Sequence, residues 1–262
     1  MSDADDSAVV VDREGPIATV TLNRPDRLNA LNRPMWPLLT DAFRQVAGDP
    51  SVRVVVLRGA GTAFSPGADI SEFQSARADA DQARAYGAVM DAAYQAIGET
   101  PQPVIARVQG PCTGAGLVLA MLCDVTVGDT SVRMGAPVAR LGLSMPAPEF
   151  MAVADKIGRG RALMLVLEAR VLNAEEAAQI GLLDRLCQPK HLDRDLGALL
   201  TAVAAGAPMV HRAHKALARR LGDPTPLTEA EVADTFASFD TADYQEGFRA
   251  FLEKRAPAFK GE

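Results

Sequence analysis

Residues 104–124 read VIARVQGPCTGAGLVLAMLCD and contain three consecutive structural signals. The first is the apolar run Val104–Val108, which is typical of a buried strand. The second is the glycine-rich turn Gly110–Gly116, and the third is the apolar segment Leu117–Leu122, which we predict to be a short helix. A strand is therefore predicted to pass through a glycine turn directly into a helix.

The same order of signals occurs once more, upstream. Val52–Leu57 is a β-branched run suited to a buried strand, Gly59–Gly67 is a glycine-rich turn, and a helix is predicted from about Ala68. With the strand Ile17–Leu22 and the helix Met35–Val46, this repetition predicts an α/β fold built as a spiral of ββα turns. It does not favour an α/β barrel or a dinucleotide-binding fold.

From Arg159 onward the sequence pattern is mostly helical. The predicted helices are Arg159–Leu167, Ala174–Ile180, His191–Ala205, Met209–Arg219, Leu227–Phe239 and Tyr244–Arg255. We expect a core domain over residues 1–200 and a helical oligomerisation region over residues 201–262.

Charge and composition limit the classes of function. The chain has 262 residues and a net charge of −6, so it lacks the basic footprint of a nucleic-acid-binding protein. Cys112, Cys123 and Cys187 are odd in number and form no CxxC pair, which argues against a disulfide framework and a zinc site. The acidic N-terminus has no signal-peptide pattern, and no apolar run is as long as a membrane span. We therefore expect a soluble cytoplasmic protein without nucleic-acid or membrane partners.

Each glycine turn leads into a predicted helix start, where backbone N–H groups are unpaired and the helix dipole is positive. Glycine also lets the backbone approach a ligand closely. Two such ends facing one cavity would hold a developing oxyanion; the alternative is that both are ordinary strand–helix turns. Neither is a phosphate-binding loop, because no Gly-Lys-Ser/Thr follows.

Five sequence blocks resemble the crotonase (enoyl-CoA hydratase/isomerase) superfamily. They are residues 22–31 (LNRPDRLNAL), 64–70 (FSPGADI), 108–124, 173–182 and 246–260, which follow the family order and span nearly the whole chain. The resemblance implies a crotonase-like spiral of ββα repeats with a C-terminal helical trimerisation region. It also implies an acyl-CoA substrate, no cofactor beyond the CoA moiety of that substrate, and a homotrimer or a dimer of trimers.

By the same resemblance, the backbone amides of Ala68 and Ala115 form an oxyanion hole for the thioester carbonyl. Ala115 stands where glycine is more usual in the family, and alanine keeps the N–H donor provided that the backbone needs no positive φ. The residues implied in substrate and CoA binding are Arg27, Leu28, Ala30, Ala68, Asp69, Ile70, Gly114, Ala115, Pro137, Val138, Lys254 and Lys260. We interpret Asp69 as a helix-start residue that holds the turn. The alternative for the three basic residues is ordinary surface charge.

Two glutamates that hydratases of this family use are replaced. By the resemblance, one belongs at Val118 and the other at Val138, within the run Pro137–Gly142. Valine cannot transfer a proton, and general acid–base catalysis contributes about 10²–10⁴-fold per group. We therefore predict that ordinary hydratase chemistry is lost while thioester binding is kept.

Glu149 is the first candidate for a relocated catalytic carboxylate, because it lies in the changed loop after Leu143. Its alternative role is first-turn helix capping after Pro148. Tyr86 and Arg140 are weaker candidates, and Arg140 is more readily interpreted as pairing with a carboxylate at the surface or at a subunit contact.

Other reactive side chains are interpreted as structural. Ser65 has no local base partner, which argues against a nucleophile. His211 and His214 lie at helical spacing with Lys215, but no third ligand is nearby in sequence. A solvated helix face is therefore favoured, and we expect no metal site.

Two functions remain open. The leading one is an acyl-CoA-processing enzyme of the hydratase/isomerase type that works through a thioester enolate, with isomerisation or another lyase step as its reaction. The rival is a non-catalytic acyl-CoA-binding protein, which the replacements Val118 and Val138 favour.

Overall fold

The computed structural model describes residues 7–262, and these fold around two sheets. The strands are β1 (Val9–Glu14), β2 (Ile17–Leu22), β3 (Val54–Gly59), β4 (Val104–Val108), β5 (Pro111–Thr113), β6 (Val125–Asp129), β7 (Arg133–Gly135), β8 (Val171–Leu172) and β9 (Arg185–Cys187). The larger sheet has the order β1-β2-β3-β4-β6-β9, and the smaller one has the order β5-β7-β8. Only β1 is antiparallel to its neighbour in the larger sheet.

Helices cover both faces of the larger sheet. They are α1 (Met35–Ala47), α2 (Phe73–Ala76), α3 (Ala80–Glu99), α4 (Ala115–Met121), α5 (Ala147–Ile157), α6 (Arg159–Glu168), α7 (Ala174–Ile180), α8 (Leu192–Ala205), α9 (Pro208–Arg220), α10 (Glu229–Asp234) and α11 (Ala242–Glu253). This α/β arrangement agrees with the spiral of strand–turn–helix units that the sequence predicts.

Strand β3 shows why the sheet is buried on both sides. Val55 and Leu57 pack into the main core with α1, α3 and α4, whereas Val54 and Val56 pack into a second core beneath α8. Alternate residues of a strand point to opposite faces, so an unbroken apolar run such as this one has to be covered twice. Strands β3 and β4 are parallel neighbours, so their carboxyl ends lie side by side, and each strand continues into a glycine turn.

Several predicted bounds are correct and others are corrected by the structure. The strands Ile17–Leu22 and Val104–Val108 and the helix Ala174–Ile180 have the bounds that the sequence predicts. No helix starts at Ala68, because that residue is held in an extended bridge to Leu31.

A second correction concerns the predicted helix Leu227–Phe239. It is divided into α10 and a 3-10 turn, Ala237–Asp240. A capping box between Thr228 and Glu231 starts α10 two residues later than expected.

The C-terminal helices pack onto the sheet through an ion pair. The ammonium group of Lys215 on α9 donates to Asp124 at 2.5 Å and to the backbone oxygen of Gln102 at 2.9 Å. Residue 200, the predicted domain boundary, falls inside α8, and the chain first leaves that helix at Gly206.

Within residues 7–262 no single helix is long and apolar enough to cross a membrane. Pro189–Ala205 and α9 together have the length and composition of a membrane span, but the pair bends by 103° between them.

Candidate active site

The two glycine turns are hydrogen-bonded to each other. Ser65 and Cys112 form a parallel bridge, in which the Ser65 N–H donates to the oxygen of Pro111 at 2.9 Å and the Thr113 N–H donates to the oxygen of Ser65 at 3.0 Å. The Thr113 hydroxyl adds a bond to the oxygen of Pro66 at 2.8 Å. These bonds fix the turn that follows β3 against the turn that follows β4.

Glycine is required where the turns meet. Gly67 has φ +101°, and a β-carbon there would lie 2.7 Å from the oxygen of Thr113 and 3.1 Å from the nitrogen of Ala115. A β-carbon on Gly116 would lie 2.3 Å from the oxygen of Ser65. Both glycines therefore permit a backbone approach that any side chain would block.

Ala68 and Ala115 present unpaired backbone amides beside this contact. In the bridge to Leu31, the hydrogen bonds use the oxygen of Gly67 and the N–H of Asp69, so the Ala68 N–H points away from residue 31. Ala115 is the first residue of α4, where an N–H has no partner within the helix. Within residues 7–262, neither N–H donates a hydrogen bond. Ala115 also has no positive φ, so alanine is free of backbone strain there.

Asn29 is a structural residue of the candidate site that the sequence analysis missed. Its side chain is fully buried and donates to the oxygens of Ala60 and Ala63, both at 2.8 Å, while its oxygen accepts the N–H of Arg24. It adopts φ 65°, which asparagine tolerates better than most residues. Asn29 thereby ties residues 22–31 to the first glycine turn.

Ser65 is also structural. Its buried hydroxyl donates to the backbone oxygen of Asn29 at 2.8 Å and accepts the N–H of Gly67 at 3.1 Å. A hydroxyl in this position braces the turn and leaves no exposed nucleophile.

Asp69 holds the start of the 3-10 turn Ile70–Glu72. Its carboxylate accepts from the hydroxyl and N–H of Ser71 and from the guanidinium of Arg24, at 3.1 Å in the last case. The hydroxyl bond from Ser71 and the bond from Arg24 hold the pKa of Asp69 below its usual range. Arg24 also donates to the oxygen of Ala30 at 2.6 Å and is a second residue that the sequence analysis missed.

The basic residues implied in CoA binding lie at the surface. Arg27 is exposed beside Leu28, which adopts φ 52° and keeps nearly half of its side chain in solvent. Lys254 ends α11 and Lys260 lies in the tail, whose backbone is bonded to Asp243. The backbone oxygen of Phe259, next to Lys260, accepts from Arg53 just before the amino end of β3, whereas the first glycine turn follows the carboxyl end of that strand.

Val118 and Val138 lie on different elements and differ in burial. Val118 is fully buried one helical turn after Ala115 in α4. Val138 is half-buried in a 3-10 turn, Pro137–Leu141, that follows β7. The Gly114 N–H donates to the backbone oxygen of Gly135 at 3.0 Å, which ties β7 to the second glycine turn.

Glu149 is half-buried in the first turn of α5 and accepts a hydrogen bond from the hydroxyl of Tyr94 at 3.3 Å. Glu149 is the acidic residue of that first turn, as the alternative role requires, but no side chain makes a capping hydrogen bond at the N-cap, Pro146. Burial raises the pKa of Glu149 to about 7, although the Tyr94 hydroxyl and the nearby Arg77 guanidinium oppose that rise. A carboxyl group that is partly protonated near neutral pH is suited to accept and return a proton.

The weaker candidates have structural roles. Tyr86 is buried; its hydroxyl accepts from the indole of Trp36 and donates to Glu72. Arg140 forms no ion pair within residues 7–262, so the predicted pairing with a carboxylate is not present in this chain.

The predicted solvated face of α9 is corrected in part. His211 and His214 bind backbone oxygens of Val203 and Val210. Lys215 is buried rather than solvated, because it pairs with Asp124.

The part of the chain that the structure describes contains no cluster of three potential metal ligands. A groove of about 850 Å³ lies beside α9 at the ends of α3 and α4, near the amino ends of β4 and β6, whereas the glycine turns follow the carboxyl ends of β3 and β4.

The sequence is similar to known proteins over nearly its whole length. The sequence model of the enoyl-CoA hydratase/isomerase family matches residues 12–262. The chain is 33% identical to a crotonyl-CoA hydratase of Syntrophomonas wolfei over 255 residues, which cover 96% of this chain and 97% of that protein. It is 30% identical to a short-chain-enoyl-CoA hydratase of Clostridium acetobutylicum over 250 residues, or 94% of this chain and 95% of that protein.

Solved structures agree with the sequence relatives. An enoyl-CoA hydratase/carnithine racemase from Magnetospirillum magneticum superposes with a TM-score of 0.96 at 46% identity, covering 98% of this chain and 96% of that one. A putative enoyl-CoA hydratase/isomerase family protein from Hyphomonas neptunium gives a TM-score of 0.93 at 32% identity, covering 98% and 99%. The chain therefore has the crotonase fold and belongs to the enoyl-CoA hydratase/isomerase family.

Proposed function

We propose that this protein binds an acyl-CoA thioester and stabilises its enolate between the amides of Ala68 and Ala115. The observation that carries the proposal is the pair of unpaired N–H groups on two glycine turns that are bonded to each other. Fixed donors of this kind contribute most when charge develops on the oxygen, since they need no reorganisation during the reaction. Family membership, and relatives named as hydratases of enoyl-CoA, support a thioester as the ligand.

We propose that the reaction is a shift of the double bond within an enoyl-CoA, with Glu149 as the single proton carrier. Glu149 Oε1 accepts from Tyr94, whereas Oε2 makes no hydrogen bond to residues 7–262 and is available for a proton. One carboxylate is sufficient for this chemistry, because the same group removes a proton at one carbon and returns it at another.

The electrons and protons balance in two steps. In the first, Glu149 Oε2 takes a proton from C2 of a 3-enoyl thioester, and the C–H electron pair moves toward the carbonyl to form the dienolate. The oxyanion then accepts hydrogen bonds from Ala68 and Ala115. In the second step, Glu149 returns the proton to C4, and the product is the 2-enoyl thioester with the enzyme unchanged.

Hydration is less well supported, because water would have to be both positioned and deprotonated. Val118 and Val138 offer no proton acceptor at the two positions where the family resemblance expects glutamates. The loss of one acid–base group costs about 10²–10⁴-fold. The apolar surroundings of Val118 also provide no partner for an ordered water.

A non-catalytic acyl-CoA-binding protein is the second candidate, and the same two valines favour it. Both candidates predict thioester binding, but only the enzyme predicts exchange of a C2 proton with solvent. The decisive experiment incubates butyryl-CoA and 3-hexenoyl-CoA in D₂O and measures deuterium at C2 by mass spectrometry.

Three proteins are compared in that experiment: wild type, Glu149→Gln, and Glu175→Gln as a control on the exposed first turn of α7. We expect exchange and isomerisation in wild type and in the control, and a loss of at least about 10²-fold in Glu149→Gln with unchanged thioester affinity. Tight binding without exchange in wild type would establish the binder instead.

We also propose a homotrimer or a dimer of trimers. Phe236, Phe239, Phe248 and Phe251 all expose more than half of their side chains, and Phe251 exposes 81%. An exposed apolar patch of this kind is typical of an interface.

A further inference from the structure

Tyr94 fixes one side of the Glu149 carboxyl group. The tyrosine is buried, with 5% of its surface exposed, and its hydroxyl donates to Glu149 Oε1. A donor on Oε1 sets the direction in which Oε2 points. It also favours the charged form of the carboxyl group, since a hydrogen bond to a carboxylate is stronger than one to a neutral acid.

Trp36 holds Tyr94 and Tyr86 at the same time. The rings of Trp36 and Tyr94 meet edge to face, with centroids 5.6 Å apart and an interplanar angle of 84°. The indole N–H donates to the Tyr86 hydroxyl at 3.2 Å, and that hydroxyl donates to Glu72 at 3.1 Å. Both tyrosine rings therefore have fixed orientations.

Arg77 lies on the ring that this network fixes. Its guanidinium carbon is 3.9 Å from the ring centroid of Tyr86 and 5.1 Å from that of Phe73. Its side-chain hydrogen bond goes to the sulfur of Met90, a weak acceptor, at 2.9 Å. Within residues 7–262 no carboxylate lies within ion-pair distance of Arg77, so no ion pair neutralises its positive charge, which favours the charged form of Glu149.

Asp91 supplies a charge of opposite sign. It lies one helical turn before Tyr94 on α3, is half-buried, and forms no hydrogen bond within residues 7–262. The helix α4, which packs on α5, contains only apolar residues and glycine. The charged residues of α6, namely Arg159, Arg161 and Glu168, are exposed. Tyr94 therefore acts on Glu149 through a hydrogen bond, and Arg77 and Asp91 act on it through their charges.

We infer that Tyr94 and Arg77 are positioning residues for Glu149, that Trp36 holds both of them in place, and that Asp91 opposes their effect on its charge. This inference rests on the proposed role of Glu149 as proton carrier, although the network itself can be tested without turnover. Tyr94 acts through a direct hydrogen bond, whereas Arg77 acts through its field.

The test is the titration of Glu149 by NMR in protein labelled with ¹³C at the glutamate carboxyl groups. The Glu149 signal is assigned by its absence in Glu149→Gln. We expect a midpoint near 7 in wild type. Because Tyr94 and Arg77 both favour the charged form, Tyr94→Phe and Arg77→Met should raise the midpoint by about one pH unit. Removal of the negative charge in Asp91→Asn should lower it.

The control is Arg84→Met, which removes an exposed guanidinium from α3 that, among the described residues 7–262, pairs only with Asp81. It should leave the midpoint unchanged. A general loss of packing would move all three test variants in one direction, so a common shift, or no shift, overturns the inference. Shifts of the expected signs without any C2 exchange in wild type would instead retain the positioning network and reject the proposed reaction.

Discussion

Gly67 approaches Ala115 so closely that a β-carbon at position 67 would lie 3.1 Å from the Ala115 nitrogen. This contact sets the spacing between the two amides of the proposed oxyanion hole. The geometry of the hole therefore depends on a residue that contributes no hydrogen bond to the oxyanion.

The first prediction is that Gly67→Ala separates the two turns and weakens the oxyanion hole. We expect C2 exchange to fall by about 10²–10³-fold, which is the usual effect of losing one such donor. Gly15→Ala is the matched control, because Gly15 also has positive φ (55°) but a β-carbon there meets no atom within 4 Å. Equal losses in the two variants would mean that backbone strain, rather than the contact with Ala115, is responsible.

The second prediction is that wild-type protein hydrates crotonyl-CoA slowly. Positions 118 and 138 carry valine, which cannot deprotonate water. The rate of crotonyl-CoA hydration should therefore lie well below the typical enzymatic range of about 1–10³ per second. Absorbance of the enoyl thioester measures the reaction. Hydration within that range would show that the proton acceptor lies elsewhere and that the valines were assigned the wrong role.

Val118→Glu and Val138→Glu should differ in stability, which is the third prediction. Val118 is fully buried, so a glutamate there lacks a partner and costs several kcal/mol of the free energy of unfolding. Val138 is half-buried and its glutamate can reach solvent, so the cost should be below about 1 kcal/mol. Urea denaturation compares the two, and similar losses would contradict the difference in burial.

A fourth prediction concerns pH. If the charged form of Glu149 takes the proton, kcat/KM for isomerisation should rise with pH and level off above about 7. The contribution of Glu149 to the free energy of unfolding should instead decrease as pH rises. The pKa of Glu149 is raised on folding from 4.5, so this group binds more protons in the folded state between about 4.5 and 7, and its contribution to the free energy of unfolding falls as pH rises through that window.

Glu149→Gln removes this titration, so its stability relative to wild type should increase across the same window. Since one pKa unit corresponds to 1.36 kcal/mol, the gain is at most about 3 kcal/mol. Thermal unfolding at several pH values measures it, and a constant difference between the two proteins would contradict a raised pKa.

The fifth prediction is that Lys215→Met destabilises the protein by about 3 kcal/mol. It leaves the Asp124 carboxylate without its cation, and the estimate is at the lower end for buried pairs because Asp124 keeps 32% of its side chain exposed. The double variant Asp124→Asn/Lys215→Met should recover part of the loss. Lys190→Met, at an exposed position, should change stability by less than about 0.5 kcal/mol.

Assembly can be measured directly by light scattering. We expect the mass of a trimer or hexamer, and we expect Phe251→Asp to reduce it because a charge replaces a largely exposed aromatic ring. Leu221→Asp changes another exposed apolar residue outside α11 and serves as the comparison. A stable monomer of the wild-type protein at micromolar concentration would refute the proposed interface.

The glycine turns could be predicted from sequence because their chemistry is local. Gly67 and Gly116 stand where any β-carbon would clash, so the residue type itself carries the signal. The same holds for α7, whose start is fixed by a capping box between Asn173 and Glu176. The strands β5, β7 and β8 were not predicted, since two or three residues are too few to show a period of two.

The network around Glu149 could not be predicted for a different reason. Trp36 lies on α1, Arg77 directly after α2, Tyr94 on α3 and Glu149 on α5, and each is individually ordinary in sequence. Their contacts follow from the packing of α1 against α3 and from the hydrogen bond between Tyr94 on α3 and Glu149 on α5, which are tertiary relationships. Asn29 was missed similarly, because its partners Ala60 and Ala63 are backbone groups more than thirty residues away.

Trp36 is the only tryptophan of the chain, and it contacts the ring that donates to Glu149. Its ultraviolet emission therefore comes from one fluorophore, located one side chain away from the proposed proton carrier. Excitation energy absorbed by Tyr86 or Tyr94 has a short path to it. The protein thus contains an intrinsic optical probe, and stopped-flow fluorescence should follow thioester entry in real time without a dye.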